Sequence, residues 1–205
     1  MSPMTTAVGT RKAEQSERTQ EALLSACLLL FAQRGFASTS IDDVARATGV
    51  TKGAVYWHFA NKDELFHAIL DRIRQRWQQV VHLPVSAQPH PLKRLEQLFD
   101  SYTKLFRESP EICLFLQQVL LDQHKKAFSA QVAKVFAKTA RFIANIIEEG
   151  KVTGVVRLNV DSMAAAHLIL GMLAGASQQA STARAQPLER LLMEAKHMAL
   201  GYLKR

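Results

Sequence analysis

Apolar residues recur at helical spacing along almost the whole chain, and this pattern constrains the fold more than any other feature. A clear apolar stripe near the end of the chain consists of Leu188, Leu191, Leu192, Ala195, Met198, Ala199 and Tyr202. Alternation typical of a strand is confined to two or three residues near Val155 and Val156. The sequence therefore predicts an all-α fold of about nine helices.

Cap residues and prolines predict where the helices begin and end. Ser40 with Asp43, and Asn61 with Glu64, have the spacing of a capping box. Three prolines within residues 83–91 block helix continuation and indicate a connection. The predicted helices cover residues 18–34, about 40–48, 52–58, about 61–82, 92–108, 111–123, 126–149, 161–182 and 187–203.

Charge and cysteine content narrow the class of protein. Lys and Arg number 26 and Asp and Glu 18, and the resulting net charge of +8 favours a polyanionic partner. Residues 1–75 carry little of that excess, with 9 basic and 8 acidic side chains. Cys27 and Cys113 lack CxxC spacing and follow no signal peptide, which predicts reduced thiols and a cytoplasmic location. The longest apolar run, around Met163–Ala176, is shorter than the ~20 residues of a membrane span, so no membrane association is expected.

The sequence offers no pattern typical of catalysis or of metal binding. Its 7 histidines are scattered, and it contains neither an HExxH motif nor a nucleophile elbow. The chain is therefore not expected to be an enzyme, to require a cofactor or to hold a metal.

Two short predicted helices joined by a tight turn at Gly49 form a helix-turn-helix pattern. In such a motif the second helix lies in the DNA major groove, and its first residues contact base edges. Gly53 and Ala54 let the backbone approach the groove, Lys52 can donate to guanine, and Ala54 can contact a thymine methyl. The pattern predicts DNA binding with base contacts from Thr51, Lys52, Gly53 and Ala54.

Phosphate contacts are expected from polar side chains around this helix. Tyr56, His58 and Lys62 are donors of the kind that hold phosphates. Thr39 and Ser40 open the preceding helix, whose N-terminus attracts anions. These two hydroxyls have an alternative role as helix caps, and the two roles are compatible.

The remaining residues of the segment are expected mainly to support the fold. Val55 and Phe59 are predicted to pack in the core against the first helix, whereas Trp57 fits either core packing or DNA contact. Asp42 and Asp43 suit a helix N-terminus, but they would repel phosphate and should therefore point aside.

The run from Gly35 to Phe66 closely resembles the DNA-binding domain of TetR-family transcriptional regulators. The matching residues are Gly35-Phe36, Thr39-Ser40-Ile41, Val44-Ala45, the run from Gly49 to Phe59, Lys62 and Leu65. The Tyr-Trp-His-Phe form at residues 56–59 looks like the branch that controls multidrug efflux genes. The resemblance implies an all-helical homodimer with a helix-turn-helix head and a larger C-terminal domain that binds a small molecule and dimerises.

By that resemblance Thr51 to Ala54 would face bases, while Tyr56, His58 and Lys62 would hold phosphates. The expected organisation is a flexible arm over 1–17, a DNA-binding domain over 18–64 and a ligand-binding and dimerisation domain over 65–205. The last two thirds of the chain carry no motif that matches the family, so the resemblance does not identify a ligand.

A dimer interface is expected on the last two helices. Gly171 and Gly175 lie four residues apart on one helix face, which allows a partner helix to come close. With Leu191, Leu192 and Met198 from the last helix, they predict a four-helix bundle between two subunits. Close packing within one subunit is the alternative explanation for the glycines.

A small apolar effector is expected to bind among the middle helices, because ligand pockets are mostly apolar with a few polar groups. The candidate residues are Tyr102, Phe106, Phe115, Gln118, Val119, Phe142 and His167. Ordinary core packing is the alternative for each of them.

These observations predict a DNA-binding transcriptional regulator. The favoured hypothesis is a repressor that binds a palindromic operator and is released by its effector, with efflux genes as a potential target. The alternatives are an activator of the same fold and a DNA-binding protein that responds to no ligand.

Overall fold

The structure, a computed structural model, describes residues 4–121, 126–180 and 187–205, except for the side chains of residues 4–12 and 121. The helices are α1 (Met4–Arg34), α2 (Ile41–Thr48), α3 (Lys52–His58), α4 (Lys62–Trp77), α5 (Leu83–Ser86), α6 (Pro91–Glu108), α7 (Pro110–Leu121), α8 (Lys126–Val152), α9 (Ser162–Ala180) and α10 (Leu188–Leu203). A π-helical segment, Gln78–His82, follows α4. Within the described ranges, β pairing is limited to one bridge between Val156 and Lys204, so the predicted all-α fold is confirmed.

The first helix begins earlier than the sequence pattern indicated. α1 starts at Met4, whereas the predicted start was residue 18. Residues 4–17 contain no proline and one glycine, Gly9, so nothing in them interrupts a helix. The weak apolar periodicity of this stretch concealed its helical conformation.

The proline-rich stretch is more helical than predicted. α4 ends at Trp77, and the chain continues through the π segment into α5. Leu83 N–H donates to Gln78 O, five residues back, which is the hydrogen bond of a π-helix. Pro84 has no N–H, and its ring displaces the carbonyl four residues earlier, so the local widening has a physical cause.

The remaining helices agree with the predicted bounds to within a few residues. α8 continues to Val152, past the predicted end at 149, so the following loop is shorter than expected. The predicted helix ends at 123 and 182 lie outside the described residues. None of the helices in the described ranges combines the length and apolarity needed to cross a bilayer.

The chain divides into two compact units between Arg72 and Ile73, within α4, whereas the predicted domain boundary lay after residue 64. The core of the first unit consists of Leu23, Cys27, Phe31, Phe36, Val44, Val55, Phe59, Leu65, Phe66 and Ile69. The Phe36 ring lies 5.1 Å from that of Phe31 and 5.9 Å from that of Phe66. Val55 and Phe59 are buried, as predicted.

The second unit packs α6, α8, α9 and α10 around a separate core. Its largest buried side chains are Leu95, Leu98, Phe99, Phe115, Ile143, Ile147 and Leu173. The chain end is fastened to the α8–α9 loop, since Arg157 N–H donates to Leu203 O at 3.0 Å. Gly150 lies against Val156 in the same corner, where an added Cβ would be 2.5 Å from the Val156 Cγ2 atom.

Candidate nucleic-acid interface

The turn between α2 and α3 is fixed by local hydrogen bonds. Gly49 has a φ of 69°, in the left-handed region that favours glycine, and it ends α2. Its N–H lies 3.4 Å from Arg46 O, and Val50 N–H donates to Ala45 O at 3.1 Å. The chain therefore reverses within three residues, as a helix-turn-helix requires.

The predicted capping box at the start of α2 is complete. Ser40 Oγ accepts from Asp43 N at 3.1 Å, and Asp43 Oδ2 accepts from Ser40 N at 2.9 Å. The bonds from Ser40 hold the pKa of the Asp43 carboxyl below its usual value of 3.8, so the group is a carboxylate near neutral pH. A phosphate that contacts Ser40 would therefore lie beside a negative charge.

The first residues of α3 combine a capping side chain with minimal bulk. Thr51 Oγ1 accepts from Ala54 N at 3.2 Å and caps the helix. Gly53 is exposed, and a Cβ there would meet nothing closer than Thr51 Oγ1 at 3.9 Å. No contact in the described part of the protein requires a glycine at this position, whereas an external surface approaching the backbone would.

Lys52, the predicted base-contacting side chain, is paired within the protein. Its Nζ lies 2.9 Å from Asp42 Oδ2, and both side chains are about half exposed. The hydrogen bond to Asp42 raises the pKa of Lys52, so the ammonium stays charged. Asp42 does not point aside, as the sequence had suggested, but holds the cation at the N-terminus of α3.

The outer face of α3 carries two exposed aromatic residues. Trp57 is 72 % exposed, so its side chain is not part of the core, and Tyr56 is about half exposed. The Trp57 ring lies edge-on to the ring of His58, with centroids 4.6 Å apart. An open groove of about 630 Å³ adjoins this face and is lined by Ala13, Gln15, Ser16, Thr19, Val50, Ala54, Trp57 and His58.

Two residues predicted to contact phosphate are engaged inside the first unit instead. Thr39 is 1 % exposed, and its Oγ1 donates to Gly35 O at 2.9 Å, so its burial excludes the predicted phosphate contact. Lys62 Nζ donates to the carbonyls of Phe36 at 2.7 Å and Thr39 at 2.8 Å, and it lies 4.2 Å from the Phe36 ring centroid. Lys62 thus fastens the turn that precedes α2 to the start of α4.

Comparison with known proteins identifies the family. Residues 23–69 match the family model described as bacterial regulatory proteins, tetR family, and residues 91–195 match the Tetracyclin repressor-like C-terminal domain. The chain belongs to the TetR family. This family consists of regulatory proteins, so the prediction that the chain is not an enzyme is confirmed.

One relative and two solved structures illustrate the similarity of this TetR-family chain to other members. The HTH-type transcriptional regulator AcrR of Shigella flexneri is 47 % identical over 56 residues. This match covers 27 % of the present chain and 26 % of the length of that relative. The SmeT–triclosan complex has a TM-score of 0.74 at 22 % identity and covers 92 % of both chains. AibR in complex with isovaleryl coenzyme A and operator DNA has a TM-score of 0.73 at 23 % identity, over 88 % of this chain and 97 % of that one.

Sequence reasoning missed several residues on the surface around α2 and α3, the candidate interface of this TetR-family chain. Arg46 on α2 is highly exposed and lies 3.4 Å from Asp43 Oδ1, and its spacing of three residues from Asp43 was the available signal. Gln15 and Ser16 line the groove beside α3 because α1 extends further towards the N-terminus than expected, and Thr19, which lies within the predicted helix, lines it with them. Recognising residues 4–17 as helical would have brought Gln15 and Ser16 into the prediction.

The predicted effector residues of the second unit fall into two groups. Tyr102, Phe106, Phe115 and Val119 are buried, and Phe142 is half-buried. Gln118 and His167 are exposed, and His167 Nδ1 lies 2.8 Å from Met163 O in its own helix. These two side chains therefore do not line a buried pocket with the aromatic residues, because they lie on the outer faces of their helices.

An aromatic cluster that the sequence did not reveal surrounds Tyr102 and Phe142. The Trp77 Nε1–H donates to the Tyr102 hydroxyl at 3.1 Å, and burial raises the pKa of Tyr102 to about 12. The His82 ring lies 5.5 Å from that of Trp77 and 4.9 Å from that of Phe142. The sequence did not single out Trp77 and His82 because Trp77 precedes the π segment and His82 ends it, and this segment has no helical apolar stripe.

The predicted dimer residues are also divided between surface and core. A Cβ at Gly171 or Gly175 would meet nothing within 4 Å, so close packing within the described part of the subunit does not explain these glycines. Met198 is 68 % exposed, and Leu191 is half-buried. Leu192 is 1 % exposed and packs inside the subunit, so its side chain offers no surface to a partner.

Proposed function

We propose that this TetR-family chain is a sequence-specific transcriptional repressor that acts in the cytoplasm and binds a palindromic DNA operator. The observation that carries the proposal is the exposed face of α3. Lys52 and Tyr56 supply donors there, and Gly53 has no internal contact that explains it. These are the groups that a recognition helix needs for base and phosphate contact. The complex of AibR with operator DNA supports the same use of this fold.

A homodimer follows from the need to contact two half-sites. One helix-turn-helix contacts few base pairs, and a symmetric dimer places two recognition helices about one helical turn of DNA apart. Leu168 on α9 and Met198 and Tyr202 on α10 are exposed apolar residues on helices that pack together. With Gly171 and Gly175 they form the proposed dimer surface. A four-helix bundle between subunits would cover it.

Release by a small apolar effector completes the proposed mechanism. SmeT binds triclosan and AibR binds isovaleryl coenzyme A, which supports a ligand site in this fold. The effector must favour a conformation whose recognition helices no longer match the operator. A coupling of about 1–3 kcal/mol is typical of such systems. Control of efflux genes is proposed from the Tyr-Trp-His-Phe form at residues 56–59.

Selection of bound fragments from the source genome tests the DNA-binding function. Purified protein is mixed with genomic fragments, and bound DNA is sequenced. A palindromic site overlapping a promoter supports repression, whereas a site upstream of the polymerase position supports the activator alternative. Enrichment of no sequence, with binding that falls steeply with salt, would contradict sequence-specific regulation.

Two substitutions distinguish base contact from phosphate contact. Lys52→Ala should lower discrimination at one base pair by about 1–3 kcal/mol. Tyr56→Phe removes one hydroxyl and should weaken all DNA sequences nearly equally. An unchanged ranking of sequences with Lys52→Ala would show that Lys52 does not contact bases.

A further inference from the structure

One ring nitrogen in the second unit, the Nδ1 atom of His82, stands out among the buried polar atoms. His82 Nδ1 is buried and makes no hydrogen bond to any residue in the described ranges. A neutral imidazole has one N–H donor and one acceptor nitrogen, so Nδ1 needs a partner in either tautomer. Buried polar atoms are nearly always hydrogen-bonded, and an exception calls for an explanation.

The surroundings of this nitrogen are aromatic. The rings of Trp77 and Phe142 each approach the His82 ring, and they lie 5.7 Å from one another at an interplanar angle of 82°. Trp77, His82 and Phe142 are all half-buried, so one side of the cluster reaches solvent. Tyr102 lies on the inner side, and its ring packs against Phe106 with centroids 5.4 Å apart. The site thus joins aromatic surfaces to one unused hydrogen-bonding atom.

The backbone around His82 is also unusual. His82 is the last residue of the π segment, two residues before Pro84. Single π-helical turns within α-helical chains occur frequently at functional sites, where they change the direction of a side chain. Here the widened turn brings the His82 ring next to Phe142 of α8.

We propose that His82 is the polar anchor of the effector site and that the effector is an uncharged planar phenol. An aromatic ring in the position of the Phe142 ring matches the stacking surfaces of Trp77 and His82. A hydroxyl group can donate to Nδ1 when the ring carries its proton on Nε2, and an ether of the same shape cannot. A charged compound does not fit, because burying an unpaired charge is costly. This inference rests on the proposed effector-controlled function and identifies the chemical class of its ligand.

The ligand enters by exchange of aromatic rings. Phe142 is half-buried on α8 and is the partner nearest to His82 in the cluster. A phenol ring that takes the place of the Phe142 ring keeps the contact with His82 and adds the missing hydrogen bond. Such a site is a minor conformation that the ligand makes dominant.

Tryptophan fluorescence of the full chain tests the proposal without DNA. The chain has 2 tryptophans, so a Trp57→Phe background leaves Trp77 as the reporter. The probes are para-propylphenol and its methyl ether, para-propylanisole, which has nearly the same shape but no hydroxyl hydrogen. Both should change the Trp77 emission, and the phenol should bind about tenfold more tightly.

The matched variants are His82→Phe and Tyr102→Phe. His82→Phe keeps an aromatic ring, so it should reduce the affinity for the phenol to that for the ether and leave the ether unchanged. It should also raise the Tm of the unliganded protein, because it removes an unpaired buried polar atom. Tyr102→Phe removes a hydroxyl that Trp77 already engages, and the preference for the phenol should persist.

Three results would overturn the proposal. They are equal binding of phenol and ether, no Trp77 response to either probe, and an unchanged preference for the phenol in His82→Phe. The first two results are measured with His82 in place, so they test the proposal even if His82→Phe does not fold. A separate operator-binding assay, with Trp57 intact and with or without the phenol, distinguishes phenol binding at His82 from effector-driven release of DNA. His82-dependent phenol binding without operator release would support the site and contradict the proposed release.

Discussion

The two compact units encode their functional groups in different ways. In the first unit, α2, α3 and the turn between them are set by bonds between residues no more than five apart, such as the capping box and the Gly49 turn. In the second unit, the aromatic cluster joins residues from α4, the π segment, α6 and α8. The candidate DNA surface can therefore be predicted from a short stretch of sequence, whereas the proposed ligand site depends on contacts between distant parts of the chain.

Glycines show the same contrast. Gly53 in α3 has open space around it, and Gly150 at the end of α8 is closed in by Val156. The first glycine is open to the external contact that we propose, and the second packs against a neighbouring side chain. Substitution to alanine should therefore weaken DNA binding at residue 53 and destabilise the fold at residue 150.

The largest expected effect is loss of the dimer by Leu168→Glu. Leu168 is 66 % exposed on α9, and a carboxylate there would place an unpaired charge within the proposed dimer surface. Operator affinity should fall about 100-fold or more, because the two half-sites would no longer be bound together. Sedimentation and operator titration measure the two effects. Leu158→Glu makes the same change on an exposed loop residue and should alter neither; a dimeric Leu168→Glu protein would refute the proposed surface.

The next effect concerns the fold of the second unit. Gly150→Ala places a Cβ about where Val156 already packs, so the loop must shift. The free energy of unfolding should fall by about 1–3 kcal/mol, as for other overpacked cores. Denaturant titration measures the change. Combining it with Val156→Ala should recover part of the loss, and no loss at all in Gly150→Ala would show that the corner is loosely packed.

Local chemistry accounts for what the sequence could predict. The bounds of α2 and α3, the Ser40–Asp43 capping box and the burial of Val55 and Phe59 depend on neighbouring residues, and they match the structure. The family assignment, and with it the regulatory class, also follows from this short region.

Contacts between residues that are distant in the chain account for most of the features that could not be predicted from the sequence. Thr39 and Lys62 both appeared suited to phosphate, but Lys62 reaches carbonyls more than twenty residues away, and Thr39 is buried beneath the same turn. Asp42 meets Lys52 only because the turn folds α3 back on α2. The aromatic surroundings of His82 depend on a π segment, and the sequence has no apolar periodicity that would predict this segment.

A smaller effect is expected from Gly53→Ala. Alanine is favoured over glycine by about 1 kcal/mol in a helix interior and by less in the first turn, where residue 53 lies, and nothing obstructs its Cβ, so the free energy of unfolding should rise slightly. Operator affinity should fall about tenfold, because the added methyl holds the α3 backbone away from the groove floor. Unfolding and DNA titrations on one preparation measure both. Unchanged affinity would mean that Gly53 does not approach DNA.

The smallest expected effect separates the capping box from the net charge of the first unit. Asp43→Ala removes the carboxylate that accepts from Ser40 N, so the Tm should fall near neutral pH. Because the folded-state pKa of Asp43 lies below its usual value of 3.8, its contribution is fully present above that value. It is lost as pH falls through the lower folded pKa.

The difference in Tm between wild type and Asp43→Ala should therefore close on acidification below pH 3.8. Asp42→Ala is the matched control in the same helical turn, because it removes an equal charge whose partner is the exposed Lys52. Its Tm should change less, since exposed ion pairs contribute little to stability. The measurement is the Tm of wild type, Asp43→Ala and Asp42→Ala by thermal unfolding from neutral pH to below pH 3.8. Equal Tm losses for both variants at neutral pH would mean that charge, and not the capping geometry, stabilises the start of α2.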